Sequence, residues 1–118
     1  MNKTICLDFD GVIHSYQQKF TTPETIPDPP VPGAFDFINE CLDHGYLVAV
    51  FSTRSKTESG VRAMIQWFKD NGCKDTEFIS FPTDKPMAIL YIDDRAFEFR
   101  GVFPRMEWLD RFKPWNKQ

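Results

Sequence analysis

The sequence predicts an α/β fold around a mostly parallel sheet, and two observations carry that expectation. Short apolar runs rich in β-branched residues alternate with segments whose apolar residues recur at helical spacing. Several of those runs also end abruptly in polar groups: Asp8 and Asp10 after the first, Ser52 and Thr53 after the second, Asp93 and Asp94 after a later one. Strands of a parallel sheet end at one edge, where α/β proteins bind ligands.

The first strand spans residues 3–9, with a continuous apolar character suited to a sheet covered on both faces. Gly11 follows it and permits a backbone that a side chain would resist. Residues 15–32 are polar and carry Pro23, Pro27, Pro29, Pro30 and Pro32, which predicts a semi-rigid loop. Ala34, Phe37, Ile38, Cys41 and Leu42 mark a helix that Gly45 stops. Residues 46–51 are the second strand. Thr57 is the candidate N-cap of a second helix with Val61, Met64, Ile65 and Phe68 on one face, ended by Asn71-Gly72. Residues 77–81 read as a third strand, 82–86 as a loop and 88–92 as a fourth strand. A short fifth strand is expected over 97–102, a terminal helix over 106–112 and a frayed tail over 114–118.

Composition narrows the function classes. At 118 residues the chain makes a single domain, 1–118, and its 42% hydrophobic content is that of a globular protein. The net charge of −3 gives no global basic footprint for nucleic acid, although a local patch could still serve. Cys6, Cys41 and Cys73 share no metal-ligand spacing, and reduced, buried thiols in a cytoplasmic protein are the expectation. No apolar segment approaches the ~20 residues that span a bilayer, and no signal-peptide pattern opens the chain.

Asp8, Asp10, Asp93 and Asp94 at one sheet edge repel one another unless a cation is present. Oxygen ligands select a hard ion, and Mg²⁺ fits best because it takes one or two carboxylates plus substrate oxygens and water. Lys85, just upstream of the fourth strand, adds a fixed positive charge. Cation, lysine and hydroxyl around a carboxylate suit a phosphate group. Asp8 would attack phosphorus to form an aspartyl-phosphate. Asp10 would protonate the leaving group and then deprotonate the hydrolytic water, while Ser52 and Lys85 hold phosphate oxygens. Each residue alone has a plainer reading, as a turn, a cap or a solvated lysine. Their joint placement at strand ends favours the chemical one.

These residues resemble the haloacid dehalogenase (HAD) superfamily of phosphohydrolases. Asp8-Phe-Asp10-Gly11-Val resembles its first motif, Val48-Ala-Val-Phe-Ser52-Thr its second, Lys85 its third and Tyr91-Ile-Asp93-Asp94 its acidic fourth. The resemblance implies a three-layer Rossmann-like sandwich with a mostly parallel sheet and Mg²⁺ as cofactor. It implies Asp8 as nucleophile and metal ligand, and Asp10 as acid/base with its backbone carbonyl on the metal. Ser52 and Lys85 are implied as phosphate contacts, with Thr53 in place of Ser52 if the strand ends one residue later. Asp93 is implied as a direct metal ligand, with Asp94 acting through water or by orienting its neighbours. The second aspartate fits phosphatases rather than dehalogenases. The gaps at 15–32 and 72–85 leave no room for a cap domain, so the site is expected to be open. That suits a nucleotide, a nucleic-acid end or a phosphoprotein, or a site closed by an oligomer partner.

Arg54 and Arg95 each follow a motif residue and are candidates to contact substrate phosphate or a neighbouring carboxylate, with a structural ion pair favoured for Arg95. His14 either touches substrate or packs on the sheet end. Trp108, Phe112 and Trp115 are better explained by packing on the sheet than by base stacking, and Arg105, Arg111, Lys113 and Lys117 by a solvated face. Two rival classes remain. A phosphate- or nucleic-acid-binding module of the same fold has no chemical need for four carboxylates. A receiver domain requires its acceptor aspartate after the third strand, where Ile79-Ser80-Phe81-Pro82 stands instead.

Overall fold

Four strands, β1 (Thr4–Leu7), β2 (Leu47–Val50), β3 (Ile79–Ser80) and β4 (Leu90–Ile92), form one all-parallel sheet in the order β3-β2-β1-β4 in the computed structural model, which describes residues 2–117. Three α-helices accompany it among the described residues: α1 (Ala34–Asp43), α2 (Glu58–Asp70) and α3 (Met106–Arg111). Leu7 sits opposite Val50 on one side and Ile92 on the other, so β1, β2 and β4 finish level with one another. Asp8 continues the ladder through its N–H to the Ile92 carbonyl at 2.9 Å. The expected convergence of strand ends is therefore present.

The connections β1–α1–β2 and β2–α2–β3 advance in the same direction, and right-handed crossovers place both helices on one face. The buried cluster agrees: Ile5, Leu7, Val48, Val50 and Ile79 pack with Ile38 and Cys41 of α1 and Met64 and Phe68 of α2. Thr57 caps α2 as the sequence suggests, its Oγ1 accepting from the Gly60 N–H at 3.1 Å. The second face carries the row Tyr91, Cys6, Ala49, Ser80. Cys6 and Ala49 are buried, whereas Tyr91 and Ser80 are exposed. The return from β3 to β4 across the sheet contains no helix. The expectation of a sheet covered equally on both faces thus gives way to one helical layer and one thin layer of loop.

Three further expectations are corrected. Residues 97–102 form no strand. The alternating Phe97 and Phe99 meet other aromatics instead: Phe97 lies 5.1 Å from Trp108 of α3, and Phe99 lies 4.9 Å from Phe103. No residue of α3 is buried, so Trp108 does not pack into the core as expected. The Cα radius of gyration is 14.8 Å, above the ~13.5 Å of a well-packed chain of this length, consistent with a segment standing off the core. The third strand is only two residues long, because a 3₁₀ turn (Thr76–Phe78), pinned by Thr76 Oγ1 donating to the Cys73 carbonyl at 2.7 Å, takes its start.

The tail is also not frayed where it is described; Gln118 lies outside the described residues. A 3₁₀ turn (Trp115–Lys117) docks on the loop after β1. Trp115 Nε1 donates to the Gly11 carbonyl at 2.6 Å, and Asn116 Nδ2 donates to the carbonyls of Ser15 and Tyr16, each at 3.2 Å. At roughly 1 kcal/mol for each of these three bonds, the double variant Trp115→Phe/Asn116→Ala is expected to lose on the order of 3 kcal/mol in a denaturant titration. Cleavage within residues 15–32 under limited proteolysis should rise with it. An unchanged midpoint and cleavage pattern would show the docking to be energetically idle.

Candidate active site

The end of β1 presents Asp8, the end of β4 presents Asp93 and Asp94, and the segment after β2 presents Ser52 and Thr53. One oxygen from each of Asp8, Asp93 and Asp94 lies within 4.8 Å of the others, a spacing that could hold a metal ion. Gly11, at φ 88°, makes this approach feasible, because a Cβ there would overlap the Asp94 carboxylate. Asp94 Oδ1 is buried without a hydrogen-bond partner. Asp93 Oδ1 accepts the Arg95 N–H at 2.8 Å, which turns the chain after β4.

Partial burial, then the charge of Asp93, then the hydrogen bond and charge of Asp94 push the Asp8 carboxyl up to about 8, against a Phe9 N–H that favours its anion. A carboxylate two residues away meets the opposite surroundings. Asp10 accepts from Arg54 Nε at 2.9 Å and 3.2 Å and is joined to His14 Nδ1 at 2.8 Å. It therefore stands outside the trio, although the sequence groups all four acids as metal ligands.

Of the two contacts the sequence allows Arg54, substrate phosphate or a neighbouring carboxylate, the structure shows the second, through a side chain 1% exposed. Nη1 donates to the carbonyls of Thr22, Pro23 and Thr25 at 3.2, 2.9 and 2.9 Å. All its anchoring is internal, and it holds the proline-rich loop over the sheet edge. His14 is fully buried, and its Nε2 accepts the Asp28 N–H at 3.0 Å, which assigns the ring proton to Nδ1 and the donation to Asp10. Trp67 Nε1 donates to the Asp28 carbonyl at 3.1 Å. Burial works against the Asp28 anion, but the Gln18 backbone and side-chain donors, the Gln17 N–H and neighbouring His14 outweigh it and hold the carboxyl below its usual value.

Ser52, 5% exposed, caps the 3₁₀ turn (Thr53–Lys56): its Oγ accepts the Arg54 N–H at 2.9 Å, and Ser55 Oγ accepts the Ser52 N–H at 3.0 Å. Since Oγ already accepts, its own O–H is free to donate toward the crevice. Thr53 is exposed and lines the same space. Lys85 is exposed, with Nζ 4.5 Å from the centre of the Tyr91 ring. Tyr91 also fixes the lysine-bearing loop, its hydroxyl donating to the Pro86 carbonyl at 2.6 Å and accepting the Ala88 N–H at 3.1 Å. Asp8, Ser52, Thr53, Lys85 and Asp93 line a crevice of about 220 Å³ with Cys6 at its wall. Burial pushes the Cys6 thiol up, with Lys85 opposing, so this cysteine stays protonated rather than nucleophilic. A wider groove of about 720 Å³ beside α3, lined by aromatic and charged side chains, includes none of these residues.

No protein-family model, curated protein or solved structure matches the chain. Arg95 forms no ion pair among the described residues, so the pairing favoured for it is not seen. The sequence pattern passes over Tyr91, and it offers no signal for Asp28. Tyr91 alone had a usable cue, an aromatic within a strand whose feeding loop carries the lysine.

The Asp8 environment has a consequence for stability. Between pH 3.8, the ordinary value, and about 8 the folded chain alone retains the proton. Metal-free stability therefore declines as pH rises through that window. Asp8→Asn is expected to match the wild type near pH 4 and to melt higher than it near pH 8, in thermal scans with chelator. A difference that does not grow with pH would contradict the desolvated, crowded carboxylate.

Proposed function

We propose that the chain is a Mg²⁺-dependent phosphohydrolase of the capless HAD type, acting through an aspartyl-phosphate on Asp8 on an accessible phosphomonoester. The observation that carries this reading is a crevice lined by Asp8, Asp93, Ser52 and Lys85, with Asp94 completing a carboxylate trio beside it. The absence of any α-helix or named strand between β1 and α1 supports an open site rather than a capped one. Three buried free thiols fit a reducing, cytoplasmic setting.

The donor set fits the cation. It is all oxygen, it includes a buried carboxylate oxygen with no protein partner, and its crowding holds a proton that a cation would displace. Asp8, Asp93 and Asp94 would hold it, together with the Asp10 backbone carbonyl that the motif implies. When bound, Mg²⁺ supplies the positive charge that lets the three acids ionise together and that offsets charge on the phosphate oxygens.

In the first half-reaction an Asp8 oxygen attacks phosphorus as the bond to the ester oxygen breaks, and Asp10 gives that oxygen its proton. In the second, Asp10 takes a proton from water, whose oxygen attacks phosphorus and releases the Asp8 carboxylate. Lys85 Nζ and Ser52 O–H neutralise and orient the nonbridging oxygens. Arg54 and His14 keep the Asp10 carboxyl in one orientation through both halves and touch no substrate themselves.

The purified chain is expected to release phosphate from an aryl phosphate with Mg²⁺ and not in excess chelator, and Asp8→Asn to lose at least ~10³-fold in kcat. Turnover unchanged by either would sink the reading. Separately, Mg²⁺ titrated at pH 7 is expected to release about one proton per ion bound, measured calorimetrically in buffers of different ionisation enthalpy. Asp8→Asn should abolish that release.

A further inference from the structure

The phosphate crevice opens into a second cavity that phosphoryl chemistry alone does not explain. It measures about 460 Å³, shares Asp8, Ser52, Thr53 and Asp93 with the crevice, and adds Asp10, Tyr16, Phe20 and Arg95. A space of 220 Å³ is small beside the ~300–1,000 Å³ of typical ligand sites, whereas the added space falls inside that range.

The two aromatic rings are held in place by costly local arrangements. Tyr16 is the one non-glycine residue with positive φ among those described, at 57°. A left-handed conformation at a bulky residue persists where its surroundings impose it, commonly at functional sites. Here the tail imposes it: Asn116 Nδ2 and Lys117 Nζ both donate to the Tyr16 carbonyl, at 3.2 and 3.4 Å. The Tyr16 ring stands 5.9 Å from the buried His14 ring. Phe20 is 37% exposed, with the Arg54 guanidinium carbon 4.9 Å from its ring centre. That guanidinium is itself locked by Asp10 and three loop carbonyls. Arg95 lines the same cavity, and its guanidinium makes no hydrogen bond or ion pair among the described residues. Two preset aromatic surfaces and an uncommitted planar cation, next to a phosphate site, match a phosphomonoester whose alcohol part bears a planar aromatic ring. The acidic remainder of the cavity and a net charge of −3 oppose a long polyanion.

We propose that the substrate is a nucleoside monophosphate, its base seated on Tyr16 and Phe20 beside Arg95. This rests on the phosphohydrolase reading and goes beyond it by assigning the leaving group.

The test compares kcat/KM of the Mg²⁺-loaded full chain on adenosine and uridine monophosphates, on glycerol phosphate and phosphoserine, and on a 5′-phosphorylated oligonucleotide. Phe20→Leu keeps apolar volume, and Tyr16→Asn keeps a residue that tolerates positive φ; thermal melts verify that both fold. Nucleoside monophosphates are expected to exceed the aliphatic esters by at least about 10-fold, and each variant to lose about 5- to 30-fold on nucleotides, mainly in KM, with under about twofold change on aliphatic esters. Equal losses on both classes, preference for the aliphatic esters, or preference for the oligonucleotide overturns the proposal. Calorimetric binding of adenosine monophosphate against glycerol phosphate to Asp8→Asn separates the two readings. Selective nucleotide binding without wild-type turnover on any ester overturns the catalytic reading and keeps the site. Equal binding overturns the site.

Discussion

The buried ion pair between Arg54 and Asp10 is the contact on which the geometry of the sheet edge depends. A guanidinium 1% exposed is tolerable only if its donors are matched, and here Nε meets the carboxylate while Nη1 meets three carbonyls of one loop. Those partners come from the segment after β1, the segment after β2 and residues 22–25, three stretches that no ladder joins. Loss of either charged partner would strand the other in low dielectric, a defect of about 3–5 kcal/mol. His14 and Asp28 extend the same arrangement, and Trp67 ties it to α2. The proline-rich loop is thus a built wall rather than a tether.

That wall also divides the labour between two acids that sequence alone treats as a pair. Asp10 faces a cation and an imidazole N–H, and Asp8 faces two other carboxylates. Residues i and i+2 of a strand project to the same side, but β1 stops at Leu7, so Asp8 and Asp10 are released from that rule. Beyond it Gly11 turns the chain, and Asp94 occupies the space that the missing Cβ leaves. Asp8 keeps its proton without a cation, so its proposed role as nucleophile depends on the ion that would displace that proton. Asp10 is instead fixed by an arginine that lies just beyond the next strand.

Much of the site was readable because polar residues that end apolar runs have few structural reasons to be there. Asp8, Ser52 and Asp93 met at the edge for that reason, and α1 and α2 followed from apolar periodicity, with Thr57 as cap. What escaped the sequence shares a different physical origin. Arg54 has the composition prior of a surface residue, and only its particular set of five acceptor contacts makes burial favourable. Residues 97–102 alternate like a strand, yet ring-to-ring contacts with α3 and 103 compete with ladder pairing, and the alternation cannot say which wins. The tail looked frayed because its anchors, Gly11, Ser15 and Tyr16, lie some hundred residues away. The carboxylate trio and lysine were legible as candidates; the aromatic wall beside them was not, since Tyr16 and Phe20 fall in a loop with no period.

The thin second face of the sheet connects these features. A helix on the return from β3 to β4 would have covered the row Tyr91, Cys6, Ala49, Ser80; the loop at 81–89 leaves Tyr91 exposed and uses it as the seat for Lys85. The cation that serves the crevice is therefore placed by an aromatic ring and two hydrogen bonds rather than by burial, and it remains accessible to an incoming anion. On the other side, Tyr16 and Phe20 also meet cations, Lys117 at 5.2 Å and Arg54 at 4.9 Å. The chain thus repeats one device around this edge, a ring that fixes a cation or is fixed by one. With no helix or strand inserted between β1 and α1, such preset rings would be the means of desolvating one side of the proposed substrate, and a flat base is the shape that would let them do so.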